Sequence, residues 1–139
     1  MYQDWLENDP DSRDREALQL LIDTDTPAAK TELAAAFGSE IAFGTAGLRG
    51  EMGPGPARMN TAVIRRATWG LAAALRAAVG DDFLVVIGFD ARHRSADFAR
   101  TTAGVITAAG GRVLLMPHIC PTPLLAYAMG RYHADAGVM

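Results

Sequence analysis

The sequence predicts a doubly wound α/β fold, in which a mainly parallel sheet lies between helices, and three observations indicate it. The apolar runs FLVVIGF (83–89) and RVLLMP (112–117) lack alternation, which is typical of strands buried on both faces. The segment AGVM (136–139) begins a third run of this kind. The runs are separated by segments with helical spacing, and such long connections favour parallel strands with right-handed crossovers.

Before the first strand, residues 1–40 form an acidic leader in which we expect two short helices. Helical spacing after a turn at residues 9–12 is seen at Leu18, Leu21 and Ile22. The second helix is predicted to begin at Thr26-Pro27, with Thr26 as the N-cap, and to end at Gly38. Its predicted buried face consists of Leu33, Ala36 and Phe37. We interpret the leader as packaging or a docking arm in front of a domain that spans residues 41–139.

The segment between residues 41 and 60 contains too many helix and strand breakers for a long regular element. Its core, FGTAGLRGEMGPGPARMN, has five glycines and two prolines in eighteen residues, so we expect an ordered loop or a hairpin. Residues 61–79 are then predicted to form a helix capped by Asn60 or Thr61. The predicted inner stripe of that helix contains Ile64, Leu71, Leu75 and Ala78.

Two more helices are predicted between and after the central strands. The first runs from Ser95, as its cap, to about Ala109 and ends at Gly110-Gly111. Its inner face is predicted to comprise Phe98, Thr102, Val105, Ile106 and Ala109. The second runs from Pro123 to about His133, with Thr122 as its cap.

Charge and composition limit the classes of function. The leader has ten acidic and three basic residues, a balance of −7, whereas the remainder has ten arginines and six acids, a balance of +4. A mildly basic body of this kind favours a small anionic ligand over a nucleic acid. The absence of a membrane-length apolar run and of a basic-then-apolar start, together with a single cysteine, predicts a cytoplasmic protein without a membrane partner.

The sequence does not indicate a metal or thiol site. The three histidines, His93, His118 and His133, show no metal-ligand spacing with one another or with Cys120. No base can be identified that would activate Cys120, so we expect it to be a small buried side chain.

Three loops have residues suited to binding an anion. Ligands of open α/β sheets bind at the carboxyl ends of strands, where helix N-termini offer free N–H groups. Two such ends are GFDARHRS (88–95), with Asp90 and Arg92, and HICPTP (118–123). The glycine-rich FGTAGLRG (43–50) adds Arg49. From the residues alone, an equally supported alternative is that Asp90 and Arg92 only form a structural pair.

In order and spacing, FGTAGLRG, GFDARHRS, CPTPLLAYAM and DAGVM resemble the amino-terminal domain of the α-D-phosphohexomutase superfamily, the phosphoglucomutases and phosphomannomutases. The resemblance covers essentially the whole chain and implies a three-layer α/β/α first domain. The acidic leader and the alanine in FGTAGLR resemble the branch that includes phosphoglucomutase-2 and phosphopentomutase.

This resemblance also implies a chemistry and roles for individual residues. The family moves phosphate between two oxygens of a hexose or pentose phosphate, through a phosphoserine and a bisphosphosugar that also acts as activator. Arg49 matches the arginine that faces the phosphoserine and the phosphate, and Thr45 and Gly47 belong to the same phosphate-binding loop. The implied role of Asp90, Arg92 and Thr122 is to shape loops. Mg²⁺ is implied for the complete enzyme, with ligands outside this chain.

The sequence departs from the family at its last residue. In the family, GVM leads into a segment like TASHNP, whose serine is the phosphorylated nucleophile, whereas Met139 is the final residue here. We therefore expect a domain that is incomplete at its carboxyl end and a chain that is inactive without the other domains of the same protein.

Two alternatives to a mutase fragment stay open. One is a non-catalytic module that binds phosphosugars or a partner. The other is an unrelated nucleotide-binding domain, which is disfavoured because neither GxxxxGK[ST] nor a dinucleotide motif is present. The loops that would discriminate between sugars are not in this sequence, and only the leader favours glucose or pentose phosphate.

Overall fold

A computed structural model describes residues 2–139, which divide into two compact units, one ending at Val63 and the other beginning at Ile64. The helices are α1 (Tyr2–Asn8), α2 (Ser12–Thr24), α3 (Pro27–Phe37), α4 (Thr61–Val79), α5 (Ser95–Ala108) and α6 (Thr122–Tyr132). The strands are β1 (Phe43–Gly44), β2 (Gly47–Leu48), β3 (Leu84–Ile87), β4 (Arg112–Leu115) and β5 (Ala136–Val138). Within residues 2–139, no helix combines the length and the apolar character needed to cross a membrane.

The leader contains three helices rather than the two that its sequence predicts. Its core consists of Leu18, Leu33, Ala36 and Phe37. The additional helix, α1, covers Phe37, since the rings of Tyr2 and Trp5 meet the Phe37 ring edge-on, with centroids 4.8 and 5.7 Å away. Seven residues are too few to show a clear helical period, so this helix depends on its tertiary contacts.

The predicted boundaries of α3 are confirmed. Thr26 Oγ1 accepts a hydrogen bond from the N–H of Ala29 at 3.2 Å, Pro27 takes the first helical position, and Gly38 follows the last turn. The glycine-rich segment 41–60 packs against the end of this helix, because the N–H of Ala57 donates to the carbonyl of Ala36 at 3.0 Å. The leader and the hairpin therefore share one compact unit, and the division into units falls later than residue 41.

The second unit is built on a three-stranded parallel sheet in the order β4-β3-β5. The chain leaves β3 through α5 to reach β4 on one side, and then returns through α6 to β5 on the other side. Helices consequently cover both faces of the sheet. The α/β fold with a parallel sheet is confirmed, and β3 is the strand at which the winding changes direction.

Alternation along β3 assigns its side chains to two separate cores. Phe83, Val85 and Ile87 pack with Ala72 of α4 and with Ala99 and Ile106 of α5. Val86 points to the other face and packs with Leu125 and Ala128 of α6. All four residues of β3 are buried, as expected for a central strand with helices on both faces.

Two details of the predicted core are wrong. RVLLMP was expected to form a buried strand, but β4 is an edge strand, and Leu114 and Leu115 are 37% and 40% exposed. A run of apolar residues does not reveal whether a second neighbour covers the strand. On α4, Ala78 is exposed, whereas Val63, Thr68 and Ala72 are buried.

Candidate functional site

The glycine-rich FGTAGLRG segment is a tight hairpin that presents Arg49. Strands β1 and β2 pair antiparallel, with Gly44 opposite Gly47, so Thr45 and Ala46 form the turn. Gly47 has φ +85°, a conformation in which a side chain would be strained. Arg49 is exposed, and its Nε donates to the Ala46 carbonyl at 3.3 Å. The three residues that the resemblance assigns to phosphate binding, Thr45, Gly47 and Arg49, thus lie on one hairpin.

The loop that follows the hairpin is organised by Asn60, which is fully buried. Its Nδ2 donates to the carbonyls of Gly53 and Gly55 at 2.9 and 2.8 Å, and its Oδ1 accepts from the N–H of Val63 at 2.9 Å. Asn60, rather than Thr61, therefore caps α4 with its side chain. One side chain fixes both the loop and the start of the helix.

The loop after β3 is held by hydrogen bonds around Asp90. Its carboxylate accepts from the N–H of Arg92 at 2.9 Å, and Arg92 Nε lies 3.4 Å from the other carboxylate oxygen. The Arg92 side chain is 87% exposed, so this ion pair stabilises the loop only weakly. The backbone N–H of Arg92, with smaller contributions from the Ser95 hydroxyl and the Arg92 guanidinium, lowers the pKa of Asp90 below its ordinary value. The hydrogen bonds within this loop thus favour the carboxylate form of Asp90.

Neither Ser95 nor Thr122 acts as the cap that the sequence predicts. Ser95 is the first residue of α5, and its Oγ accepts a hydrogen bond from the N–H of Asp90 at 3.2 Å instead. Arg94 occupies the capping position with φ +62° and without a side-chain capping bond. Thr122 is the first residue of α6, so the capping position before it belongs to Pro121. Proline has no side-chain acceptor, and this helix start therefore has no side-chain capping bond. In both loops the chain enters the helix one residue earlier than a side-chain cap would require.

Backbone hydrogen bonds at the carboxyl edge of the sheet tie the exit of β3 to the loop after β4 and to the end of β5. The N–H of Cys120 donates to the Phe89 carbonyl at 3.0 Å, and the N–H of Gly88 donates to the Val138 carbonyl at 2.8 Å. A Cβ on Gly88 would lie 2.9 Å from Cys120 Sγ, so this close approach requires glycine. Loop 88–95 consequently lies where the winding of the sheet changes direction, the usual ligand position in open α/β sheets.

The histidines and the cysteine do not form a metal site. Among the residues that the structure describes, no group of three or more His, Cys, Asp or Glu side chains could hold a metal ion. His93, His118 and His133 are exposed. Cys120 is buried and free, as predicted.

Three structurally important residues were missed by the sequence reasoning. Gly88 lies close to Cys120. Asn60 is buried and holds the carbonyls of Gly53 and Gly55 in addition to capping α4. The Arg58 side chain is only 13% exposed and pairs with Glu32 and Glu51. The position of Gly88 immediately after a buried strand was a usable signal. Arg58 gave none, because its partner Glu32 lies 26 positions away on another element.

Known proteins that are similar to this chain belong to the family that its motifs resemble. The family described as phosphoglucomutase/phosphomannomutase, alpha/beta/alpha domain I, matches residues 40–139. The chain is 42% identical to a phosphoribomutase of Saccharomyces cerevisiae over 78% of its length and 18% of the relative's. It is 38% identical to a phosphopentomutase of Homo sapiens over 97% and 23% of the two lengths. It is 39% identical to a phosphoglucomutase of Staphylococcus haemolyticus over 74% and 19%.

The chain therefore spans 18–23% of the length of these relatives. No solved structure gives a significant match. The family match extends over most of the chain and includes the hairpin of Arg49, the loop of Asp90 and the parallel sheet. The chain belongs to the phosphoglucomutase/phosphomannomutase family and carries its α/β/α domain I.

Proposed function

We propose that this chain supplies part of the active site of a phosphosugar mutase. The reaction would interconvert a hexose or pentose 1-phosphate and the corresponding 6- or 5-phosphate, through a phosphoserine and a bisphosphosugar intermediate. The observation that carries the proposal is the exposed Arg49 on a glycine-rich hairpin, within a segment that matches the mutase family. The names of the relatives, which include mutases of ribose, pentose and glucose phosphates, support a phosphosugar substrate.

The chemistry of phosphoryl transfer explains why an exposed arginine on such a hairpin is useful. Transfer depends mainly on positioning the phosphate and neutralising its charge, and a guanidinium does both through paired N–H donors. The Nε bond to the Ala46 carbonyl orients the Arg49 guanidinium relative to the turn. Around it, Gly44 and Gly47 carry no side chains that would keep a phosphate away from the backbone.

The residues at the sheet edge would act indirectly. Asp90 and Ser95 hold the loop after β3, and Arg92 adds exposed positive charge to it. We propose a shaping role for Asp90, Arg92 and Thr122, and direct phosphate contact for Arg49 and Thr45. The partners would be a phosphosugar and further domains of the same protein, in the cytoplasm.

Mg²⁺ and the nucleophile are proposed for the complete enzyme and not for these residues. The described carboxylates and histidines do not form a group of three or more that could hold a metal ion. A segment like TASHNP is absent from the sequence. We accordingly expect the 139-residue chain alone to show no mutase activity.

Binding of α-D-glucose 1-phosphate and α-D-ribose 1-phosphate to the 139-residue chain tests the phosphate site, monitored by amide chemical shifts in NMR. We expect saturable shifts at Gly47 and Arg49, and an affinity about tenfold lower in Arg49→Gln, because a charge-assisted pair of hydrogen bonds is lost. The matched control is Arg65→Gln, which removes the same charge from an exposed position of α4. Equal losses in both variants, or no saturable shift in the wild type, would contradict the proposed site.

A second measurement separates the mutase from a non-catalytic binding module. Formation of glucose 6-phosphate from glucose 1-phosphate, with Mg²⁺ and glucose 1,6-bisphosphate present, is followed with a coupled dehydrogenase. Activity of the purified chain would overturn its proposed dependence on other domains. In the gene, an in-frame continuation with a TASHNP-like motif after codon 139 supports the mutase, whereas a stop codon there favours the binding module.

A further inference from the structure

The Arg49 hairpin has little support from its own strands. Strands β1 and β2 have two residues each, and none of the four is fully buried: Phe43 of β1 is 77% exposed, and Leu48 of β2 is half-buried. An isolated two-stranded hairpin is at best marginally stable in water. The orientation of Arg49 therefore depends on the base of the hairpin, where the chain enters at residue 41 and leaves at residues 50–59.

Backbone hydrogen bonds join this base to the leader. The N–H of Ile41 donates to the Pro56 carbonyl at 2.8 Å, that of Met59 to the Glu51 carbonyl at 2.7 Å, and that of Ala57 to the Ala36 carbonyl of α3 at 3.0 Å. We call the N–H groups of Ile41, Ala57 and Met59 the base amides. The Ile41 bond joins the chain that enters the hairpin to the chain that leaves it, the Met59 bond closes the leaving chain on itself, and the Ala57 bond joins it to the last turn of α3.

Arg58 reinforces the same connection with its side chain. Its Nη2 and Nε donate to Glu32 Oε1 of α3 at 2.7 and 3.3 Å, and its Nη1 lies 3.0 Å from Glu51 Oε2. Glu51 follows Arg49 by two residues. The guanidinium thus links the leader helix with the chain that leaves the hairpin. Because the Arg58 side chain is only 13% exposed, water screens this pair less than an ordinary surface ion pair.

We infer that Arg58 is a positioning residue, which holds the Arg49 hairpin on helix α3 and makes the leader a structural support of the phosphate site. This inference rests on the proposed function for the identity of the ligand. The mechanical link itself rests only on contacts within the first compact unit. It assigns the leader a role beyond that of packaging or a docking arm.

Amide hydrogen exchange in the full 139-residue chain tests the link without any ligand. In Arg58→Gln we expect the base amides to exchange about tenfold faster, because a charged hydrogen-bonded pair is lost. The amides of α2 around Leu18, whose core contacts are unchanged, serve as the reference within the same unit. Arg58→Lys keeps the charge without the fork and is expected to recover only part of the protection.

Further variants isolate the individual partners. Glu32→Gln is expected to accelerate exchange of the base amides more than Glu51→Gln, because the Glu51 side chain is 77% exposed and that of Glu32 is 46% exposed. Arg100→Gln is the matched control, since it breaks a surface pair with Asp97 in the second unit. Glu32→Gln leaves Arg58 in place, so it still tests the link if Arg58→Gln does not fold.

The outcomes separate a positioning role from general stabilisation. Faster exchange confined to the base amides, accompanied by weaker glucose 1-phosphate binding with Arg49 itself unchanged, supports the inference. Equal acceleration at the α2 amides would show that Arg58 only stabilises the whole unit, and no acceleration would show that the link is unimportant; either result overturns the inference. If the wild type binds no phosphosugar while the base amides respond as expected, the proposed function fails and the mechanical link stands.

Discussion

Substitution of Gly55 by alanine is the most severe test of how the hairpin base packs on the leader. Gly55 has φ +106°, and a Cβ at this position would lie 2.6 Å from the Ala36 carbonyl oxygen and 3.1 Å from Phe37 Cε2. The same carbonyl oxygen accepts the N–H of Ala57. The obstructing atom is backbone, so it cannot move aside as a flexible side chain would.

The expected cost has two parts that a second substitution can separate. Gly47→Ala also forces a side chain into positive φ, +85°, but its Cβ would meet nothing within 4 Å. We expect that variant to lose about 1–2 kcal/mol of unfolding free energy from the dihedral strain alone. Gly55→Ala adds about 1–3 kcal/mol for the forced displacement of packed backbone. The gain from a less flexible unfolded chain is common to both variants and cancels in the comparison.

Urea unfolding followed by tryptophan fluorescence measures this difference. The chain has two tryptophans, and Trp69 in the second unit is 57% exposed, so Trp69→Phe is a tolerable background that leaves Trp5 as the reporter. Trp5 lies against Phe37, the ring that Gly55 approaches. Indistinguishable losses in Gly55→Ala and Gly47→Ala would refute the argument that contact with the backbone of α3 determines the cost.

Two further predictions concern the loop after the hairpin and the loop after β3. Asn60→Ala should lose roughly 2–4 kcal/mol of unfolding free energy, because it removes the cap of α4 and leaves the carbonyls of Gly53 and Gly55 without their donor; a loss below about 1 kcal/mol in the same urea assay would contradict this role. For Asp90, the lowered pKa means that the folded state favours the carboxylate, so the stabilisation is present above the pKa of an unfolded aspartate and is lost as the pH falls through the lowered folded pKa. Side-chain NMR titration should therefore give Asp90 a midpoint below that of an aspartate in the unfolded chain, and the stability difference between the wild type and Asp90→Asn should shrink on acidification; a midpoint at or above the unfolded value would contradict the loop geometry.

Local sequence signals predicted those elements whose causes are local. The start of α3 follows from Thr26 and Pro27, which act within one helical turn. The buried strand β3 follows from an apolar run, and the hairpin follows from a concentration of glycine and proline. The motif loops were also located correctly at strand ends, because strand, loop and helix follow one another directly along the chain.

The predictions that failed are those for which the same local pattern permits two structures. Serine or threonine before a helix often caps it, yet Ser95 bonds to the N–H of Asp90, and Thr122 lies one residue inside its helix. The apolar run of β4 predicts a strand buried on both faces. Because β4 lies at the edge of the sheet, it is partly exposed. The local pattern does not specify which hydrogen bond a serine makes, at which residue a helix begins, or whether a strand has a second neighbour.

The sequence by itself determined the fold class, the order of the strands and helices along the chain, and the residues that resemble a phosphosugar mutase site. Only the tertiary structure decided that the leader packs on the base of the Arg49 hairpin, through Arg58 and Glu32, and that Asn60 organises the loop between them. The physical reason is the range of the interactions. Hydrophobic periodicity and capping act over a few residues, whereas these contacts join side chains and carbonyls that only folding brings within hydrogen-bonding distance.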